Sequence, residues 1–168
     1  MMVQRIAKAG AALCAAMLMG ALLAGCFGSG QTEDPNRQYR TYLSQVNQIM
    51  SEFDESLEGF TDAVSRNDVV TMGSQLDQAL KTLDKLDGLN VPASMGDVQK
   101  SYLKATETLE GALRDYVALY TEIDAAAQDG NVDWSAYSGR IDKIQASYEE
   151  GVKALEDADA AAAKAGTF

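Results

Sequence analysis

Tyr39 to Val64 reads YRTYLSQVNQIMSEFDESLEGFTDAV, and its spacing decides the fold class. Tyr39, Val46, Phe53 and Phe60 recur every seven residues. Leu43, Met50, Leu57 and Val64 sit four residues after each of them. A 4-3 alternation held over four heptads lines one face of a continuous helix. Glu52, Glu55, Glu58 and Asp62 fall on other faces, as a solvated surface or, in a second reading, a patch for a cation or a basic partner.

Outward from that stripe, the chain supplies its own punctuation. Asp34-Pro35 starts the first helix with an acidic N-cap and a proline at the first helical position. Asn67 can take a left-handed cap at its end and Asp68 can cap the next helix. So short a turn makes the two helices antiparallel neighbours. Helix 2 is predicted over Val69 to Asp87, with Met72, Leu76, Leu80, Leu83 and Leu86 inward, an Asp77–Lys81 surface pair, Gly88 as its C-cap and Leu89 folded back over the last turn. Pro92 demands extended backbone before it, so Asn90-Val91-Pro92 is a real connection.

Ser94 and Asp97 resemble a capping box for helix 3. That helix carries Met95, Tyr102, Leu109, Tyr116 and Ile123 at one heptad position and Val98, Ala105, Ala112 and Leu119 at the other. Gly130 stops it and Asp133 caps helix 4, which runs from Trp134 to about Lys164. Trp134, Ile141, Tyr148 and Leu155 form one of its apolar rows, and Tyr137, Ile144, Gly151 and Ala158 the other. The last third is nearly all Ala, a good helix former with little core-filling volume. Asp129, Asn131, Asp133 and Ser135 alternate like the opening of a calcium loop. However, Trp134 stands where that loop needs Gly and Arg140 where it needs a bidentate Glu, so capping is the better account.

The expected fold is all-α, an up-down-up-down four-helix bundle over residues 34–168. Three long helices with helix 2 packed loosely is the alternative. The seven Tyr, Phe53, Phe60 and Trp134 are core residues first and ligand-box residues second.

The chain before the bundle has a different character. Arg5 and Lys8 precede a run, residues 9–27, of only Ala, Gly, Leu, Met, Cys and Phe, ending in Leu23-Ala24-Gly25-Cys26-Phe27. A basic start, an apolar segment and small residues before a cut describe a secretory signal. The tetrapeptide Leu23-Ala24-Gly25-Cys26 resembles the lipobox of bacterial lipoproteins. That resemblance implies cleavage after residue 25, with Cys26 carrying the lipid (palmitate among its chains) as the first mature residue. It covers only about the first 30 residues. An uncleaved anchor is the competing reading, since nineteen such residues roughly span a hydrocarbon core. Either way the remainder lies on the extracytoplasmic side of the cell membrane. Residues 26–33 then form a flexible Gly/Ser tether that reaches at most about 25 Å, holding the bundle near the membrane. Phe27 stands where an Asp, in that family, favours inner-membrane retention.

Charge and composition exclude much. Residues 1–25 hold two of the 14 basic side chains and none of the 25 acidic ones, so the mature chain of 143 residues carries −13. Such a surface repels nucleic acid and anionic headgroups. Cys14 leaves with the signal and Cys26 takes the lipid, so no disulfide is expected. With no histidine, a Ser-His-Asp triad, a histidine-ligated haem or zinc and the Glu-x-x-His di-iron motif cannot be built. No metal or other cofactor is expected.

Three function classes remain: a non-enzymatic binding or accessory module docking another envelope protein, a structural or surface-coat lipoprotein, and, third, an enzyme running on carboxylates, Tyr and Lys. The first is preferred, with no catalytic residues assigned. Its surface is predicted from lengths. Helix 2 is about 15 Å shorter than the others, and the shortfall falls at the membrane-proximal end. Tyr39, Tyr42, Leu43, Met95, Val98 and Tyr102 are there expected to line a thinly covered apolar groove with phenolic handles.

Overall fold

The computed structural model describes residues 35–130 and 132–165, which form an all-α bundle of four helices. α1 spans Pro35–Ser65, α2 Val69–Leu83, α3 Gly96–Gln128 and α4 Trp134–Ala165; 3-10 turns at Asp84–Leu86 and Ala93–Met95 bracket the α2–α3 connection. Among the described residues there is no strand.

Local chemistry explains the ends. Asn67 has φ of 56°, the Asn67 N–H donates to the Val64 carbonyl at 3.1 Å and the Asp68 N–H to the Ala63 carbonyl at 3.0 Å. These two bonds satisfy carbonyls that a helix end otherwise orphans, and Asn tolerates the left-handed φ they require. Asp68 then accepts from the Thr71 N–H at 3.0 Å and caps α2. At the other turn Gly130 has φ of 72°, and Asp133 accepts from the Ser135 N–H at 3.0 Å.

Three local expectations are corrected. Gly88 does not adopt a left-handed conformation. α2 instead tightens into a 3-10 turn that turns Leu86 fully inward, and the Leu89 N–H donates to the Leu86 carbonyl. The Ser94/Asp97 capping box does not form. Met95 occupies the N-cap position without a side-chain bond, because the 3-10 turn that precedes α3 serves to bury it, and Asp97 pairs with Lys100. Asp77 pairs across to Arg114 of α3 at 3.1 Å rather than along its own helix to Lys81.

The rotation of α1 also differs from the heptad reading. Its buried residues are Tyr42, Val46, Ile49, Phe53, Phe60 and Ala63, whereas Leu43, Met50, Leu57 and Val64 are only half-buried. Phe60 meets Tyr116 of α3 edge-on at 6.1 Å, and Tyr42 bonds Gln99, so the centre of the α1 face points diagonally at α3. The α2, α3 and α4 stripes pack as their spacing predicts, Tyr116, Trp134, Tyr137 and Ile141 being half-buried.

The closest backbone packing joins α3 with α4 and α1 with α2; α2 and α3 pack less intimately, and α1 and α4 come within 8 Å at no more than isolated points. The α3–α4 contact is tight because Gly151 lies against Leu109 with no room for a Cβ. The Tyr120 hydroxyl donates to Asn67 at 2.5 Å, which sets the end of α1 level with Tyr120. α3 runs eight residues further, so the α3–α4 hairpin overhangs the other by about 12 Å. Leu119, Ile123 and Ile144 form a second small core there, covered by Trp134, Tyr137 and Ile141. The overhang of one hairpin beyond the other therefore lies at the end away from residue 35, while the shortfall of α2 lies at the end near it.

Candidate functional site

The groove expected near the start of α1 is closed. Tyr42 is 1% exposed, Met95 0%, Val98 7% and Tyr102 2%; Tyr39 and Leu43 are half-buried. Two features fill the space that α2 leaves. The connection brings Leu86 and Met95 fully inside and packs Leu89 and Val91 against the core. The Ala-rich end of α4 contributes Ala158 and Ala162, both buried, whose small side chains let the helix approach.

The phenols expected to offer handles are used internally. The Tyr42 hydroxyl donates to Gln99 Oε1 at 2.6 Å, and Gln99 Nε2 donates to the Leu86 carbonyl at 2.6 Å. The Tyr102 hydroxyl donates to Asp159 at 2.5 Å, and that of Tyr39 to the Ala162 carbonyl at 2.7 Å. Burial pushes the Tyr42 phenol up to about 12. Burial raises Tyr102 as well, and the neighbouring Asp159 carboxylate adds to the effect. Both phenols stay protonated and act as donors that tie α1, α3, α4 and the connection together. Gln99, 7% exposed, escaped the sequence reading, although its place between Met95 and Tyr102 puts it on the inward stripe.

Cys26, the predicted lipidation site, lies outside the described residues, as does Asn131 of the calcium-like spacing. Asp133 of that spacing is engaged with Ser135, and among the described residues no group of three potential metal ligands occurs. No described helix is long and apolar enough to cross a membrane.

What remains half-open is the seam between α1 and α4. Lys85 bonds Glu52 at 2.6 Å, and a Cβ on Gly59 would strike Gln75, so that flank of α1 faces α2. At about 100° per residue, Leu43, Met50, Leu57 and Val64 lie on the opposite flank, which the Tyr39–Ala162 bond assigns to α4. Asp54 stands beside them, on the outer edge. Its Oδ1 is enclosed and has no hydrogen-bond partner, and burial pushes its carboxyl up from its ordinary value. On α4, Asp159 reaches Tyr102 and Gly151 packs on Leu109, so that side faces α3. Ser147, Ala154 and Ala161, half-buried at a strict seven-residue spacing, occupy the other edge. One wall of the seam thus carries large apolar side chains and the other small ones.

No protein family, no curated protein and no solved structure matches this chain.

Proposed function

We propose that this chain is a lipid-anchored protein of the bacterial cell envelope, facing the extracytoplasmic side and working there as a non-enzymatic binding or accessory module. The observation that carries the proposal is Leu23-Ala24-Gly25-Cys26 at the end of an uncharged run that follows Arg5 and Lys8. Two or more acyl chains hold a protein on a bilayer firmly where one holds it marginally. A lipid on Cys26 would make residence permanent, and α1, starting nine residues later, would stand at the tethered end.

Support for a docking role comes from the interior. It is filled by side chains, its phenols bond one another's helices, and the exposed surface carries the excess of acid. A partner would then be met on the outer faces. The experiment is metabolic labelling with an alkyne fatty acid in cells expressing wild type or Cys26→Ser. Label on wild type and its loss in the variant, with accumulation of a heavier precursor, is the expected result. Equal label in both overturns the assignment.

A further inference from the structure

Charge is distributed unevenly along the bundle, and the contacts between helices locate the division. Tyr42 bonds Gln99, which sets the parallel helices α1 and α3 in register, and Glu52 and Leu109 each stand ten residues further along. Glu52 meets Lys85 at the end of α2, and Leu109 meets Gly151 of α4. One level therefore crosses all four helices. On the side where α1 begins lie residues 35–53, 81–109 and 151–165, with eight basic and eight acidic side chains. On the far side lie residues 54–80, 110–130 and 132–150, with four basic and fifteen acidic ones, a net charge of −11. Glu33 and Asp34, which precede α1 in sequence, bring the near half to −2 and complete the −13 of the mature chain.

The excess does not belong to one face. Glu55 and Glu58 on α1, Asp115 on α3 and Asp142 and Glu150 on α4 are all exposed acids of the far half. In the near half the exposed Arg37, Arg40, Lys100 and Lys104 offset the acids. The polarity thus runs along the bundle axis. A lipid on Cys26 would fasten the near half, through a flexible tether of at most about 25 Å. Such a tether lets the bundle stand or lie, so it does not set the orientation. Over anionic headgroups the potential decays with a Debye length of about 8 Å at physiological ionic strength. In an upright bundle the division lies about 27 Å beyond the start of α1, which puts the −11 half outside that field. Lying flat would bring part of that half within reach of the surface, and like charge opposes it.

We propose that the axial charge asymmetry is an orienting device: on a membrane with anionic headgroups it stands the tethered bundle upright, with the α3–α4 turn raised away from the lipid. This rests on the lipid-anchored reading and adds to it the end that is presented outward.

The test uses the full chain, purified from membranes of expressing cells and reconstituted in vesicles of phosphatidylcholine alone or mixed with phosphatidylglycerol. A donor dye is placed on Ala127→Cys, close to the α3–α4 turn, or on Gln38→Cys, close to the start of α1; the headgroups carry the acceptor. A lipidated Cys26 does not take the dye. At about 0.1 M salt the Ala127 dye should stand at least about 10 Å, one Debye length, further from the mixed surface than from phosphatidylcholine. The Gln38 dye should not move. About 1 M salt, where the Debye length is about 3 Å, should erase the difference. Combining Glu55→Gln, Glu58→Gln, Asp115→Asn, Asp142→Asn and Glu150→Gln takes the far half to −6 and should reduce the rise by about half. Asp84→Asn, Asp87→Asn and Glu156→Gln, in the near half, should not reduce it. Equal heights of the Ala127 dye on the two lipids overturn the proposal without any variant having to fold. A rise that persists at about 1 M salt, or that survives the five far-half substitutions in full, overturns it too. In each of those outcomes the chain still floats with the vesicles and the anchored reading stands; a chain that does not float overturns both.

Discussion

Gly151→Ala tests the tightest contact in the bundle. Alanine normally improves a helix interior over glycine by about 1 kcal/mol. At Gly151 the new methyl would lie 2.7 Å from Leu109 Cγ, 2.8 Å from Cδ2 and 3.1 Å from the Leu109 backbone N. Leu109 is fully buried, so its side chain has nowhere to swing, and the backbone atom moves only if α3 moves. Overpacking of this kind costs about 1 to 3 kcal/mol, and a backbone contact puts the cost in the upper half of that range. The net loss is about 1 to 2 kcal/mol. At about 3 °C per kcal/mol for a chain of this size, Tm falls by about 3 to 6 °C. Gly111→Ala and Gly139→Ala supply the control: a Cβ there meets nothing within 4 Å, so only the helix term acts and Tm should rise by about 3 °C. Thermal melts followed by far-UV circular dichroism measure all three. Combining Gly151→Ala with Leu109→Ala should relieve the side-chain part of the clash, giving a coupling energy of about 1 kcal/mol or more. If Gly151→Ala raised Tm as Gly139→Ala does, α3 and α4 would not be packed backbone to backbone, and the register of the hairpin would be wrong.

Tyr42→Phe removes the buried hydrogen bond to Gln99 Oε1 and should cost about 1 to 3 kcal/mol by denaturant unfolding, far more than deletion of an exposed hydroxyl. Asp54→Asn should stabilise the fold at neutral pH. Burial raises the folded-state pKa of Asp54 above its unfolded value, so ionisation penalises the native state, fully at neutral pH and progressively less as pH falls through the folded pKa. The Tm advantage of the variant should therefore shrink from pH 7 toward pH 4, and an advantage that grows on acidification would contradict the burial of that carboxylate.

The turns that follow α1 and α3 were legible in the linear chain because they depend on neighbours in sequence, whereas the ends flanking the α2–α3 connection were not. Asn67 next to Asp68, Gly130 and Asp133 act on the backbone groups within a few residues of themselves, and they end and start helices where their chemistry says. The stripes of α2, α3 and α4 were legible for the same reason. Tertiary structure alone decided how α1 is turned. Its apolar positions, from Ala63 round to Leu43, cover an arc of about 160° at 100° per residue, and periodicity cannot choose the centre of so wide an arc. The diagonal partners Tyr116 and Gln99 chose it, sending Tyr42, Ile49 and Ala63 inward and leaving Leu43, Met50, Leu57 and Val64 on the α4 flank. Closure near the start of α1 was likewise a three-dimensional outcome. A connection judged by its length looked too thin to cover Tyr42 and Tyr102, but two 3-10 turns drive Leu86 and Met95 inside, and the alanines of α4 let that helix come close. Small residues read in sequence as missing volume; in the packed bundle they are what permits the approach that fills it.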